Sequence, residues 1–380
     1  MTTSLPDLFQ TNHIDLLVVG AGPGGLACAI AAASRGLRVQ VIDGREPPID
    51  KACGEGLMPD TLDALSQLGI DHSQIQGAGF PLRGISFIKC DTTIEGYFPA
   101  GGGFGVRRTV LHQLLHNRAL ELGVSFQWKT VVTGVEGQQV NTNRGVWRAR
   151  WIAGADGSQS RIRMMAGLDR ASSSRRRIGL RQHFAVAPWT DLVEVHWTGR
   201  AQAYVTPVSE SEVCVVFIAS QRIAGIEEGL ALFPSLKRRL AAAPLSGSPL
   251  GAVTLSRKLR RVTSGNIALV GDASGSVDAI TGEGLALCFR QALALASAIE
   301  AGDLAFYEKA HARIRRLPHL MSRAMLLMDR YPVALARTFN VFERRPSLFP
   351  HLLQVHIGYE PLRLLGPGGL VASLICMLTP

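Results

Sequence analysis

The chain has 380 residues, of which 47% are hydrophobic and 18% are charged. This composition excludes a disordered chain, and the length accommodates two or three domains with a large buried core. Forty Lys and Arg residues against thirty Asp and Glu residues give a formal net charge of +10. The basic surface therefore either meets an acidic partner, such as an anionic membrane, or is simply solvated, and we expect no nucleic acid partner.

Cysteine spacing and hydropathy indicate the cellular compartment. The cysteines stand singly, without a CxxC pair, so we predict neither a disulfide framework nor a metal site. The first thirteen residues lack the pattern of a signal peptide, and no apolar run reaches the roughly 18 residues of a spanning helix. We expect a cytoplasmic protein that is soluble or at most peripheral to a membrane. The six cysteines are Cys28, Cys53, Cys90, Cys214, Cys288 and Cys376.

Residues 14–43 predict a strand, a tight turn, a helix and a second strand. The turn carries Gly20-x-Gly22-x-x-Gly25, with Gly24 inside it. Gly20 permits the sharp turn, Gly22 lets the backbone approach a pyrophosphate, and Gly25 brings helix and sheet together. The free N–H groups and the positive end of the following helix then face the phosphates. This spacing predicts a dinucleotide site.

Asp43 closes the second strand of this unit, about twenty residues after the glycines. A carboxylate at this position accepts hydrogen bonds from a ribose diol. A free acid there favours FAD or NAD over NADP.

The remaining elements follow in chain order. A loop rich in Gly and Pro carries Lys51, Cys53 and Glu55 and precedes a helix from about residue 59. Apolar patterns then predict two strands in 85–98, a helix over 109–121, strands in 124–135 and 146–153, an alternating antiparallel sheet over 177–220, a helix over 226–243 and a strand over 266–270. From residue 306 the chain is helical, with breaks at Pro318, Pro332 and Pro346.

Three ordered motifs resemble one superfamily, the FAD-dependent p-hydroxybenzoate hydroxylases and geranylgeranyl reductases. The first motif is the glycine-rich loop with Asp43. Residues 154–158, Gly-Ala-Asp-Gly-Ser, are similar to the "DG" motif of the family, and Gly271-Asp272-Ala273 is similar to its "GD" motif. The resemblance covers residues 13–300.

The resemblance implies an α/β fold with a Rossmann-type FAD-binding domain, an inserted antiparallel substrate sheet and C-terminal helices. We predict an FAD-binding domain at 1–80, 104–172 and 258–302. The substrate sheet would occupy 81–103 and 173–257, and the helices 303–380.

Finer details resemble the geranylgeranyl reductase branch. These are the loop at residues 51–57, the segment at 203–207, the Thr-Gly-Glu-Gly run at 281–284 and Arg108. Two departures weigh against ordinary hydroxylase turnover. Residues 274–279 read SGSVDA where hydroxylases usually carry a histidine or proline, and Ala279 replaces a common proline.

The resemblance assigns a role to each candidate residue. Arg108 would pair with the diphosphate, although Arg107 could exchange roles with it. Asp272 would accept from a ribityl or ribose hydroxyl, or else cap a helix. Asp156 would contribute to the cofactor site or fix its own turn.

The segment of Gly282, Glu283 and Gly284 would hold negative charge at the N1/O2 side of a reduced flavin. Cys53 and Glu55, in a loop over the flavin, are the catalytic candidates. Their alternatives are a small buried apolar residue and a solvated loop acid.

The resemblance implies an FAD-dependent oxidoreductase acting on an apolar small molecule. The reductase branch implies hydride transfer to a carbon–carbon double bond of an isoprenoid-like chain, with a nearby acid as proton donor. The alternative is an NAD(P)H-driven monooxygenase that hydroxylates or epoxidises an aromatic, polyketide or lipid substrate. A third class is a flavin-holding protein without turnover. No second GxGxxG occurs in the sequence, so NAD(P)H or another electron donor would visit the flavin transiently.

The C-terminal helices carry arginines among apolar residues. They predict either helices that lie on an anionic membrane or helices whose apolar face packs on the flavin domain. The final sixteen residues, 365–380, are too short to span a bilayer and suit a lid or an interfacial anchor. The arginines are Arg313, Arg315, Arg316, Arg323, Arg330, Arg337, Arg344 and Arg345.

Overall fold

The computed structural model describes residues 14–99, 102–173, 176–199 and 201–360. The predicted architecture is confirmed: a largely parallel sheet, a second inserted sheet and C-terminal helices. The strands are β1 (Ile14–Val19), β2 (Val39–Ile42), β3 (Gly56–Leu57), β4 (Phe80–Leu82), β5 (Gly84–Lys89), β6 (Thr92–Tyr97), β7 (Gly103–Gly105), β8 (Ser125–Gln127), β9 (Val132–Glu136), β10 (Gln139–Thr142), β11 (Gly145–Gly154), β12 (Ala171–Ser173), β13 (Arg177–Phe184), β14 (Leu192–Trp197), β15 (Ala201–Ser209), β16 (Glu212–Ala219), β17 (Leu245–Thr254), β18 (Arg257–Leu259), β19 (Thr263–Ser264) and β20 (Ile267–Leu269).

Helices connect and flank these strands. Two short 3-10 turns, Gly271–Ser274 and Ala279–Thr281, lie between β20 and the next helix. The α-helices are α1 (Pro23–Ala33), α2 (Pro59–Gln67), α3 (His72–Gln76), α4 (Arg108–Glu121), α5 (Arg161–Met165), α6 (Ile226–Ala231), α7 (Pro234–Leu240), α8 (Gly284–Glu300), α9 (Leu304–Ile314), α10 (Arg316–Arg330), α11 (Pro332–Arg344) and α12 (Leu348–His356).

The first sheet has eight strands with β1 near its centre. Strand β1 runs parallel to β2 and β11, and β8 and β20 extend the parallel arrangement on either side. Such a strand is covered on both faces, which explains the buried apolar run at 16–19 that follows Asp15. Helix α1 packs between α4 and α8, and its buried alanines allow this close approach. The predicted strand region 124–135 is divided into β8 and β9.

The second sheet has seven strands in the order β17-β13-β16-β15-β14-β5-β6. The sequence predicts a wholly antiparallel sheet, but β5 pairs with β14 in parallel. The β5–β6 hairpin comes from an earlier part of the chain and extends the sheet beyond β14, with β5 as the pairing strand. The helix predicted over 226–243 is two helices, since Pro234 begins α7 and ends the pattern of α6.

Helix α9 packs on α8 and on the core of the first sheet through Leu304 and Tyr307, which agrees with the expected packing on the flavin domain, whereas α10, α11 and α12 pack mainly on the second sheet. The buried side chains of these three helices contact residues of β6 and β14. The cluster comprises Met328, Leu335, Phe339, Phe342 and Phe349 with Ile94, Val195, Trp197 and Ile280. The first break falls at Arg315 rather than Pro318, because a proline is tolerated in the first turn of a helix. Among the helices of the described residues, none is long and apolar enough to cross a membrane.

The predicted domain segments place each of the two large sheets in a different domain. Two small sheets, however, contain strands that lie at or across the predicted boundaries. Strand β12 pairs with β18, and β7 pairs with both β3 and β4. The domain boundaries therefore stay a prediction. Residues 365–380, the predicted lid or anchor, lie outside the described residues.

Candidate functional site

A cavity of about 790 Å³ lies between the two large sheets. One wall is formed by the glycine-rich loop, the DG and GD segments and the turn before α8. The opposite wall is formed by the second sheet. Open α/β folds bind ligands in the cleft at the carboxyl ends of their parallel strands.

The glycine-rich loop has the geometry that its spacing predicts. Gly20 has φ +106°, and a Cβ there would lie 2.4 Å from the carbonyl oxygen of Ala155. A Cβ on Gly25 would lie 1.8 Å from the carbonyl oxygen of Gly20, so this glycine serves helix packing and does not line the cavity. Apart from its chain neighbours, a Cβ on Gly22 would meet no atom of residues 14–99, 102–173, 176–199 and 201–360 within 4 Å. The space beside Gly22, which with Gly24 lines the cavity, is therefore open to a ligand.

Asp43 lines the cavity and holds the loop. Its Oδ2 accepts from the backbone N–H of Ala21 at 2.7 Å, and its Oδ1 accepts from the backbone N–H of Arg45 at 2.8 Å. The carbonyl of Ala21 accepts from Nε2 of His112 at 3.0 Å. Burial lowers the pKa of His112, so the neutral ring with its proton on Nε2 suits this contact. No local sequence signal reveals His112, because its partner lies on another element.

Arg108, rather than Arg107, faces the cavity. Arg108 begins α4 and is 8% exposed, and in the part of the chain that the structure describes its Nε has no hydrogen-bond partner. Arg107 instead donates to Glu212 and Ser246. A buried guanidinium with an unsatisfied N–H beside an open cavity is suited to an anionic ligand.

Asp272 pairs with Lys51 inside the cavity, with 2.8 Å between Nζ and Oδ2. Desolvation opposes the charged carboxylate, but the Lys51 ammonium outweighs it and lowers the pKa of Asp272. Sequence reasoning noted Lys51 in its loop without assigning it a role.

The carboxylate of Glu55 is held by the protein. Its Oε1 accepts from the backbone N–H of Arg108 at 2.9 Å and from Arg181 at 3.2 Å, and its Oε2 lies 2.6 Å from Nε2 of His183. Glu55 lines the cavity with a φ of +60°, but both oxygens are engaged. The sequence analysis did not identify Arg181 and His183 as site residues. The available signal was the basic residues at alternate positions of β13, which all point to one buried face.

Glu55, His183 and Cys214 bring three ligand-type atoms within 4.8 Å of one another. Arg181 already neutralises Glu55. Burial and the nearby Glu55 carboxylate raise the pKa of Cys214, and a protonated thiol is a poor metal ligand. The cluster is therefore explained without a metal.

Cys53 is half-buried, lines the cavity and accepts from the backbone N–H of Glu55 at 3.4 Å. Asp156 also lines the cavity, while its Oδ2 accepts from the backbone of Arg161 at 2.7 Å and of Ile162 at 3.2 Å. The Asp156 contacts hold the start of α5.

The turn before α8 presents backbone to the cavity. Gly282 and Gly284 line it, and Gly282 has a φ of +71°. The side chain of Glu283 does not line the cavity and is buried behind the turn.

These residues fit FAD. The open space at Gly22 and the unsatisfied Arg108 suit phosphates, the carboxylates of Asp43 and Asp272 suit hydroxyls, and the backbone at Gly282 suits a ring edge. All five residues line one cavity. The individual residue roles stay predictions.

Comparison with known proteins supports this chemistry. Residues 13–302 match the family model described as FAD binding domain. The chain is 30% identical over 302 residues to digeranylgeranylglycerophospholipid reductase 1 of Methanopyrus kandleri, covering 72% of this chain and 76% of that protein. It is 26% identical to menaquinone reductase of Mycolicibacterium smegmatis, covering 91% and 87%.

Two further proteins are similar to this chain, one in sequence and one in structure. The chain is 31% identical over 176 residues to 6-methylpretetramide 4-monooxygenase of Streptomyces rimosus, but this covers 42% of the chain and only 31% of that enzyme. A flavoprotein/dehydrogenase from Cytophaga hutchinsonii superposes with a TM-score of 0.81 at 20% identity, covering 96% and 97% of the two chains. At that identity the match shows the fold alone.

Proposed function

Because the chain belongs to the family of FAD-dependent oxidoreductases that carry this FAD binding domain, we propose that it reduces a carbon–carbon double bond of an isoprenoid-like lipid. The observation that carries the proposal is the wall opposite the cofactor segments. The strand residues of the second sheet that line the cavity are all uncharged: Ile85, Gly179, Val193, Val195, Tyr204, Thr206, Val216, Ile218, Ala252, Val253 and Thr254.

An uncharged wall favours a hydrocarbon substrate. An apolar chain gains about 25 cal/mol for each Å² removed from water, whereas an anionic head group would lose its hydration without a counter-charge on this wall. Tyr204 adds a fixed polar point, since its hydroxyl donates to the carbonyl of Ile280 at 2.7 Å. The head group of a lipid would therefore remain outside this part of the cavity.

Reduction of the double bond needs a hydride at one carbon and a proton at the other. The hydride would come from FAD held by these residues, once a dihydronicotinamide or another two-electron donor has reduced it. Among the two catalytic candidates, Cys53 is the better proton donor. Its thiol lines the cavity, while both oxygens of Glu55 are bound by Arg108, Arg181 and His183.

The length of the matches supports the reductase over the monooxygenase. The two proteins named reductases align over at least 72% of this chain, and the protein named monooxygenase aligns over 42%. The KACGEGL loop and the TGEG turn, both at the cavity, resemble the same branch.

An anaerobic reaction tests the proposal. Chemically reduced enzyme is mixed, without oxygen, with a geranylgeranyl lipid or with its saturated counterpart, and flavin reoxidation is followed by absorbance. We expect reoxidation with the unsaturated lipid only. A requirement for dioxygen in both mixtures would contradict the proposal and support the monooxygenase.

Variants assign the proton donor in the same assay. Cys53→Ala should slow lipid-dependent reoxidation by about 100-fold, the lower end of the contribution of a general acid. Cys90→Ala is the matched control, because Cys90 is exposed and lies outside the cavity. Equal rates in the two variants would remove Cys53 from this role.

A further inference from the structure

A buried charged cluster lies behind the turn that precedes α8. It consists of Asp60 from α2, Glu283 immediately before α8, Arg290 from α8, and His356 from α12. Asp60 and Glu283 are each 2% exposed. The mechanism above uses none of these side chains, yet Glu283 lies between Gly282 and Gly284, which both line the cavity.

The cluster is one positive charge short. Arg290 places Nη2 2.8 Å from Oδ2 of Asp60, whereas no arginine of the described residues forms an ion pair with Glu283. Asp60 and Glu283 together would carry two negative charges if both were ionised. A buried carboxylate without a counter-charge is strongly disfavoured, so one of the two carboxyl groups must carry a proton.

Hydrogen bonding indicates where that proton lies. Nε2 of His356 is 3.1 Å from the carbonyl oxygen of Thr281, which can only accept, so Nε2 carries a proton. In a neutral ring Nδ1 is then an acceptor, and it faces Oε2 of Glu283 at 3.7 Å. Oε2 has no hydrogen-bond partner among the described residues. Two acceptors face each other unless a proton lies between them.

The titration behaviour of the groups agrees with this geometry. Burial raises the pKa of Glu283 to about 8, against the effect of Arg290 and the Thr281 hydroxyl. Burial also raises the pKa of Asp60 to about 6, with Arg290 opposing it. Burial lowers the pKa of His356 despite Asp60 nearby. Near neutral pH, Glu283 is thus the member that keeps a proton.

We propose that Glu283 is a positioning residue that holds a proton toward His356 and so keeps the amino end of α8 free of carboxylate charge where it meets the ring edge of FAD. This inference rests on the FAD placement in the proposed function but not on the substrate. An ionised Glu283 would oppose the negative charge that a reduced flavin carries at that edge, and a neutral one leaves the helix dipole unopposed.

The test is the reduction potential of bound FAD as a function of pH, measured against a redox dye. Glu283→Gln imitates the protonated acid. Its ratio of reduced to oxidised FAD should match the wild type at pH 6 and exceed it by about tenfold at pH 9, where the wild type has lost the proton. Glu300→Gln, an exposed carboxylate at the other end of α8, is the matched control and should follow the wild type.

Parallel curves for wild type and Glu283→Gln would overturn the inference. A second measurement can be made without bound flavin and without a variant protein. The infrared spectrum of the flavin-free protein should contain a protonated carboxyl band at pH 7 that disappears by pH 9, and its absence would equally overturn the inference. Neither measurement depends on lipid reduction. Failure of the lipid assay can therefore be distinguished from failure of the inference about Glu283.

Discussion

At the scale of single residues, Gly22 separates ligand binding from folding. A Cβ at this position would meet no atom of the described residues within 4 Å apart from its chain neighbours, so Gly22→Val should fold normally yet occupy the space proposed for the pyrophosphate. We expect FAD affinity to fall at least about tenfold, which is about 1.4 kcal/mol.

Flavin content and thermal midpoint of the purified protein measure the two effects. Gly225→Val is the matched control, because Gly225 also has open space around its Cβ position and lies outside the cavity. A Gly22→Val protein with stoichiometric FAD would show that the loop does not hold the diphosphate.

Asp272 and Asp156 should differ in what they support. Asp272 extends into the cavity beside Lys51, whereas Asp156 accepts two backbone N–H groups at the start of α5. Asp272→Ala should weaken FAD retention or slow flavin reduction. Asp156→Ala should chiefly lower the free energy of unfolding, by about 1–2 kcal/mol. Equal losses of flavin and stability in both variants would leave these two roles unsupported.

Local chemistry explains which site residues the sequence could predict. The glycine spacing and the acid after the second strand belong to one contiguous unit, so Gly20, Gly22 and Asp43 could be located. Other contacts join distant parts of the chain. The partners of Lys51 and His112 lie 221 and 91 residues away in the sequence. Such pairings depend on the tertiary fold, which spacing does not reveal.

At the scale of elements, one ion cluster fastens α10 to the cavity. Arg177 of β13 is 2% exposed at its side chain and pairs with Asp278 at 2.8 Å and with Asp329 of α10 at 3.4 Å. Gln202 also contacts Arg177 and Asp329. The cluster joins the second sheet, the segment after the GD motif and the C-terminal helices.

Removing one carboxylate should therefore loosen this junction. Asp329→Ala should lower the free energy of unfolding by about 3 kcal/mol, because it leaves a buried arginine with less counter-charge. Denaturant unfolding measures the change, with the exposed Glu343→Ala on α11 as control. A change below about 1 kcal/mol would show that Asp329 does not fasten the helix.

Element types followed from periodicity, while their partners did not. Alternation over 177–220 predicted strands but could not reveal that β5 joins them in parallel, because register depends on distant segments. Likewise, the amphipathic pattern of α10 predicted a buried face without identifying the second sheet as its partner.

At the scale of the whole molecule, the outer face of α10 is a candidate membrane surface. Arg316, Arg323 and Arg330 are exposed at seven-residue intervals, with Leu320 exposed between them, whereas Arg315 is buried and donates to the carbonyls of Ser274, Arg257 and Ser276. We propose that this stripe rests on anionic lipid.

Vesicle flotation tests that surface. Wild-type protein should float with anionic vesicles at low salt and detach as salt rises, because screening shortens electrostatic range to about 10 Å at 0.1 M. Changing the three stripe arginines to Gln should reduce the floated fraction severalfold. The same change at the exposed Arg144, Arg148 and Arg150 is the charge-matched control. No flotation of wild type at low salt would reject the membrane contact.

The most direct test of the proposed activity is the mass of the product. The flavin-loaded enzyme, an electron donor and a geranylgeranyl lipid are incubated under isotopically labelled dioxygen. From the proposed reduction we expect a product that gains two hydrogens for each double bond reduced and contains no labelled oxygen. A product that gains one labelled oxygen atom would contradict this expectation and identify the enzyme as a monooxygenase.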